Sequence, residues 1–194
     1  NQEAKKGLAI LNQNSESARP TQDQIDFVMN LYSTGKIIEA IKSIDELVQQ
    51  FPQEPLLLNI SGACYLAAEM YEDAVMSFKK AVELKQDYAA AQYNLGVAYR
   101  SLGQNDSAMN CFKKAININP AYPDAHNNLG LILLQDQQII DAVEHFEWAV
   151  AYKPEFAAAH NNLGAALQEL RKYDESINSY KKAVEINPAY AQAH

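Results

Sequence analysis

Between residues 89 and 122 the apolar positions fall into two stripes. Leu95, Ala98, Tyr99 and Leu102 make the first, Gly103 interrupts, and Ala108, Met109, Phe112, Ala115 and Ile116 make the second. A recurrence every three to four residues is that of a helix with one buried face, so the segment predicts two amphipathic helices joined by a short turn. Pro120, just after Ile118 and Asn119, closes the second helix, because its ring cannot continue the pattern and turns the preceding residue away from helix.

The same pattern recurs along the chain. Gly62, Gly96, Gly130 and Gly164 stand at one constant step, and so do Ala40, Ala74, Ala108 and Ala142, with Ser176 in the fifth place. Phe78, Phe112, Phe146 and Tyr180 keep that step after Ile44, and Pro52, Pro120, Pro154 and Pro188 keep it with Gln86 in the gap. The register gives units at 21–54, 55–88, 89–122, 123–156 and 157–190, with the start of a sixth at 191–194. Glycine and alanine let paired helices approach closely while an aromatic ring fills the space beside them. One such pair has too little core to fold, whereas a stack buries a continuous one. The fold expected is an all-α solenoid.

These landmarks resemble the tetratricopeptide repeat family, whose repeating unit has the same length and the same Leu-Gly, aromatic, alanine, phenylalanine and proline places. The resemblance spans residues 21–194, is of a bacterial type, and is weakest in the first unit, where Val28 replaces the glycine and Leu47 a small alanine. It implies a right-handed superhelix whose first helices line a concave face that receives an extended peptide or protein segment.

Composition narrows the function. Hydrophobic content of 48% supports a substantial core, and a net charge of −8 with pI near 5.0 argues against nucleic acid or an anionic membrane as partner. The sequence has no run of about 18 apolar residues, so no membrane insertion is expected, and a cytoplasmic location is the default. Cys64 and Cys111 lack CxxC spacing and are expected as free thiols. No phosphate loop, G-x-S-x-G or H-E-x-x-H motif occurs. Glu72, Asp73, Asp141, Asp174 and Glu175 stand where second helices begin and favour the positive end of the helix dipole. No catalytic residue, cofactor or metal is expected.

His126, His160 and His194 share the fourth place of their units. Equivalent helices lie ~10 Å apart, whereas zinc needs nitrogens at about 2.0–2.1 Å, so the rings are expected as half-buried structural groups in the first turn of the inner helix. His145 falls in a row with Ser43, Ser77, Cys111 and Ser179, which is expected to face solvent. Tyr88, Tyr122, Phe156 and Tyr190 close successive units and are expected to staple the start of the next helix.

By position, the resemblance puts Asn59, Tyr93, Asn127 and Asn161 in one inner line and Asn94, Asn128 and Asn162 in the next, with Leu131, Arg100, Gln168 and Gln135 below them. Asparagine offers both a donor pair and an acceptor and can match a peptide backbone without reading its side chains. The series resembles the asparagine ladder of O-GlcNAc transferase repeat domains. A second reading stands beside it, in which Asn128 and Asn162 satisfy free backbone groups near helix starts. Arg100 is the one inner cation of those positions, which argues against an adaptor for acidic chaperone tails. Trp148 stands where other units carry Glu46, Lys80, Lys114 and Lys182, and is either an outer contact site or packing over His145 and Tyr152.

The reading is thus a non-catalytic scaffold for a peptide or protein, or alternatively the substrate-recognition part of a larger bacterial enzyme such as a sulfotransferase or an O-GlcNAc-transferase-like glycosyltransferase. The sequence stops inside a sixth unit, so a piece of a longer array or protein is expected, with self-association through the uncapped Ile177, Tyr180 and Val184. Residues 1–20 break the register. Lys5 to Ile10 faintly echo Lys113 to Ile118, the tail of a second helix, and Asn12 to Pro20 read as a linker.

Overall fold

The computed structural model describes residues 19–192. The expectations for residues 1–18 and for His194 lie outside the described residues.

Ten α-helices follow in pairs: α1 (Gln22–Ser33) and α2 (Ile37–Gln50), α3 (Pro55–Ala67) and α4 (Tyr71–Leu84), α5 (Ala89–Ser101) and α6 (Asn105–Ile118), α7 (Pro123–Gln135) and α8 (Ile139–Tyr152), α9 (Ala157–Glu169) and α10 (Tyr173–Ile186). A 3-10 turn at Pro188–Gln192 comes after them. Each pair is one repeat unit, and no strand occurs among the described residues. Each second helix also packs on the first helix of the next unit, which makes the pile a continuous all-α solenoid. Consecutive first helices touch, α3 with α5 and α7 with α9, while consecutive second helices have no comparable contact. The first helices therefore lie on the closer, inner side and the second helices on the splayed outer side.

Within a unit the core is a glycine facing an aromatic ring. A Cβ built on Gly62 would lie 2.6 Å from Phe78, on Gly96 2.6 Å from Phe112, on Gly130 2.7 Å from Phe146 and on Gly164 2.9 Å from Tyr180. Those distances are below van der Waals contact, so any side chain there displaces the ring. Phe78, Phe112 and Phe146 are fully buried. In the first unit Val28 and Ile44 occupy the two places, and both are fully buried in the same cluster.

The turn inside each unit has one geometry. Gly35, Glu69, Gly103, Gln137 and Arg171, which hold the same place in successive units, all take positive φ between 59° and 76°. Around Gly103 its N–H donates to Arg100 O at 2.9 Å and that of Gln104 to Tyr99 O at 2.9 Å, and the pattern recurs in every unit. These paired bonds close the exposed carbonyls of the first helix in a Schellman turn. Only two of the five residues are glycine, so the interruption visible at Gly103 is a general device.

Thr21 starts the first helix with a capping box. Its Oγ1 accepts from Gln24 N at 3.3 Å and Gln24 Oε1 accepts from Thr21 N at 2.9 Å. The unit-closing aromatics Tyr88, Tyr122 and Phe156 stand at the cap position itself, one place later than a hydrophobic staple requires. Two are covered by a lysine from their own loop, Lys85 5.1 Å from the Tyr88 ring and Lys153 4.6 Å from Phe156.

Candidate functional site

The two inner lines of amides do meet, one residue out of step with the repeat. Asn94 Nδ2 donates to Asn59 Oδ1 at 3.0 Å, Asn128 Nδ2 to Tyr93 Oη at 3.0 Å, and Asn162 Nδ2 to Asn127 Oδ1 at 2.9 Å. Each bond joins the first helices of neighbouring units. The repetition follows from the helix geometry, which brings the sixth place of one unit against the fifth of the unit before. Arg100 Nη1 donates to Asn128 Oδ1, so this inner cation is tied to the central rung while its side chain stays exposed.

This arrangement corrects the reading in which Asn128 and Asn162 serve backbone groups near helix starts, since both amides go to side chains across the seam. Nor are the rungs equally open. Asn127 and Asn128 are buried, whereas Asn59, Asn94, Asn161 and Asn162 are half-buried. Asn59 Nδ2 and Asn94 Oδ1 make no hydrogen bond among the described residues, which leaves one donor and one acceptor at the second seam for a ligand. Below the amides, Leu131 is half-buried against the core. Gln135 Oε1 accepts from Asn105 Nδ2 at 3.5 Å and Gln168 Oε1 from the Tyr180 hydroxyl at 3.4 Å. Tyr93 packs its ring 5.0 Å from Tyr122 and 5.8 Å from Phe112. Burial pushes the Tyr122 hydroxyl up to about 12 and that of Tyr93 above its ordinary value, so both act as neutral hydrogen-bonding groups.

The ladder stops at the first seam. Its two places are Ile25 and Ile60, which belong to an apolar cluster, and that seam is tied elsewhere by the Tyr65 hydroxyl donating to Asp45 at 2.8 Å. Burial, then this bond, raises Tyr65 to about 12. At the next seam the matching places hold Tyr99 and Lys79, whose ammonium lies 5.6 Å from the ring.

Each of the two described histidines of the fourth place bonds within its own surroundings. His126 Nε2 lies 2.9 Å from Pro120 O and His160 Nε2 2.9 Å from Pro154 O. In both the ring donates to the carbonyl that closes the preceding unit. The row expected to face solvent does not. Cys111 is buried, as is Cys64 outside that row, and burial pushes each thiol up to about 11. His145 is half-buried, with Nδ1 3.0 Å from His126 Nδ1. Because His126 donates through Nε2, its Nδ1 is the acceptor, and His145 donates. Burial lowers both rings, and for His145 the neighbouring His126 lowers it further. Polar residues sit there because two helices cross closely, as Ser61 and Ser77 do with their hydroxyls 3.4 Å apart.

Trp148 packs against neighbouring rings and yet stays partly exposed. It stacks on Tyr152 with centroids 5.6 Å apart and 19° between planes, and its ring lies 6.5 Å from that of His126. It remains 45% exposed.

Two sequence models of the repeat match: a TPR repeat model over residues 62–100 and 96–137, and a tetratricopeptide repeat model over residues 157–190. The chain belongs to the tetratricopeptide repeat family. Solved tetratricopeptide repeat folds agree over almost the whole length. MamA is 28% identical with a TM-score of 0.73, covering 84% of this chain and 95% of that one. YrrB, described as a TPR protein with an unusual peptide-binding site, is 20% identical with a TM-score of 0.68, covering 93% and 92%. A thermophilic TPR protein of Thermus thermophilus is 22% identical with a TM-score of 0.72, covering 89% and 97%. No curated protein matches the sequence. Among the described residues no helix is long and apolar enough to cross a membrane.

Proposed function

We propose that the chain is a non-catalytic scaffold that holds an extended peptide or protein segment along its first helices. The observation that carries this reading is the open half of the Asn59–Asn94 rung, where an amide donor and an amide acceptor on the first helices have no partner among the described residues. An extended backbone rises about 3.3 Å per residue, so rungs ~10 Å apart meet every third residue of it. Asn162 adds a half-buried amide two units further on, and exposed Arg100 adds a charge for an acidic side chain or a terminal carboxylate. The buried Asn127–Asn128 step between them acts as a spacer that fixes helix separation. YrrB, of like fold, carries a peptide-binding site.

The test is selection of peptides from a displayed random library on the intact protein, followed by affinities measured on N59A, N94A and R100A. Loss of about tenfold or more in N59A or N94A, with an unchanged circular dichroism melt, is the expected result. Selected peptides that bind all three variants as tightly as the parent place the site elsewhere.

A further inference from the structure

The outer side of the fourth unit is unlike that of the second, third and fifth units, whereas the first unit shares two of its features, an exposed isoleucine (Ile38) at the place of Ile140 and an acid (Asp45) at that of Glu147. The exposed face of α8 is formed by Ile140, Asp141, Glu144, Glu147, Trp148, Ala151 and Tyr152, whose spacing of three and four residues places them on one stripe. In the second, third and fifth units the place of Ile140 holds Glu72, Asp106 and Asp174. The places of Glu147 and Trp148 hold the lysine pairs Lys79–Lys80, Lys113–Lys114 and Lys181–Lys182, and that of Ala151 holds Glu83, Asn117 and Glu185. Relative to those three units the fourth has exchanged outer polar groups for apolar ones at three places and a lysine for an acid at one, and α8 contains no lysine or arginine.

The result is an acidic stripe threaded with large apolar side chains. Ile140 is 73% exposed, and Tyr152 is 41% exposed under the half-exposed indole. Beside Ile140 a cleft of about 400 Å³ opens between the start of α8 and Leu170, lined also by Gln137, Gln138, Ile139 and Asp141. Stacking on Tyr152 holds the indole in place, so ordering it on contact costs little. An indole face flanked by carboxylates is the setting in which a guanidinium gains both ring contact and ion pairing.

We infer that the outer face of α8 is a second docking surface, distinct from the inner groove, for an amphipathic protein segment that carries arginine between apolar side chains. Glu144, Glu147 and Asp141 select its charge, Trp148 and Tyr152 take an arginine, and Ile140 with its cleft takes an apolar side chain. An acidic partner is repelled.

The probe is a labelled amphipathic arginine–leucine peptide as long as α8, 14 residues, with a copy carrying glutamate for arginine as control. The protein has one tryptophan, so its emission reports on this face alone. Saturable binding of the arginine peptide with a shift in emission is expected, together with loss of about tenfold or more in W148K and in E147K. Each change installs the lysine that three sister units carry at that place, so the fold is expected to stand, and N94A on the inner side leaves binding unchanged. The proposal is overturned by equal binding to the glutamate peptide, or by unchanged affinity in the W148K/E147K double variant. It is also overturned if phosphatidylcholine vesicles shift the emission and the arginine peptide does not, since the face would then meet lipid.

Discussion

The first and fourth units follow the same register and the same backbone, and share Ala40 with Ala142 and Pro52 with Pro154, yet they differ at the helix crossing, the polar pair and the turn. Where the fourth sets Gly130 against Phe146, the first sets Val28 against Ile44, and all the side chains concerned are fully buried. Where the fourth has the His126–His145 pair, the first has Gln24 and Ser43. At the turn the fourth forces Gln137 to φ +62°, and the first uses Gly35 at +76°. What the two units share is volume at the helix crossing and a left-handed turn. The letters are free so long as those two quantities are met.

The comparison can be broken most severely at the crossing. Replacing Gly130 by Val while Phe146 stays puts atoms 2.7 Å or less from the ring, and overpacking of this kind costs about 3 kcal/mol. G130V with F146I copies the first unit and is expected to recover about 2 kcal/mol of that through coupling of the pair. Urea melts of both single variants and the double variant measure it. Additive losses would mean that the two places are not traded against each other.

The polar core gives a smaller difference, visible only in acid. Both histidines are held below their ordinary value of about 6.5, first by burial and, for His145, also by its neighbour. The groups facing His145 are Lys113, Glu144 and Asp141 besides His126. The unfolded chain binds these protons more readily than the folded one, so stability is full above about pH 6.5 and is lost as pH falls through it. Thermal melts at about pH 7.5 and about pH 5.5 are expected to differ more for the parent than for H126Q/H145S, the first unit's pair. Equal differences would show that the rings titrate normally.

The turn gives the smallest effect. A non-glycine residue in the left-handed region is strained by about 1 kcal/mol, partly offset by the greater chain entropy that glycine brings to the unfolded state. Q137G is therefore expected to raise stability by about 0.5 kcal/mol in the same urea melts, and a loss would show that the glutamine side chain supports the turn.

How much of this the sequence carried can be read from the same residues. Helix pairing and the glycine–phenylalanine contact were legible because they return at one fixed step and depend on size and periodicity. The turn was read in the sequence only at Gly103, since Glu69, Gln137 and Arg171 do not look like turn residues. The inner rows were legible as rows. Their bonding was not, because it runs from the sixth place of one unit to the fifth of its neighbour, while a repeat pattern aligns like with like. The burial of Cys111 and His145 was missed because polarity was read as exposure in a row that includes Ser43, Ser77 and Ser179, and a close helix crossing selects small or hydrogen-bonded groups whatever their polarity. Trp148 was marked by its uniqueness, but the stripe it belongs to emerged only when the exposed Ile140, Ala151 and Tyr152 were seen beside it.

The hydrogen bond between side-chain amides of neighbouring first helices refers to nothing beyond the adjacent unit. Excising residues 89–122 would bring Asn59 against Asn128, two amides fit to form the same bond that Asn59 makes with Asn94. Whole units can thus be duplicated or lost in evolution without inventing a new joint, and the length of the inner surface becomes a quantity that recombination can adjust in steps of one hairpin.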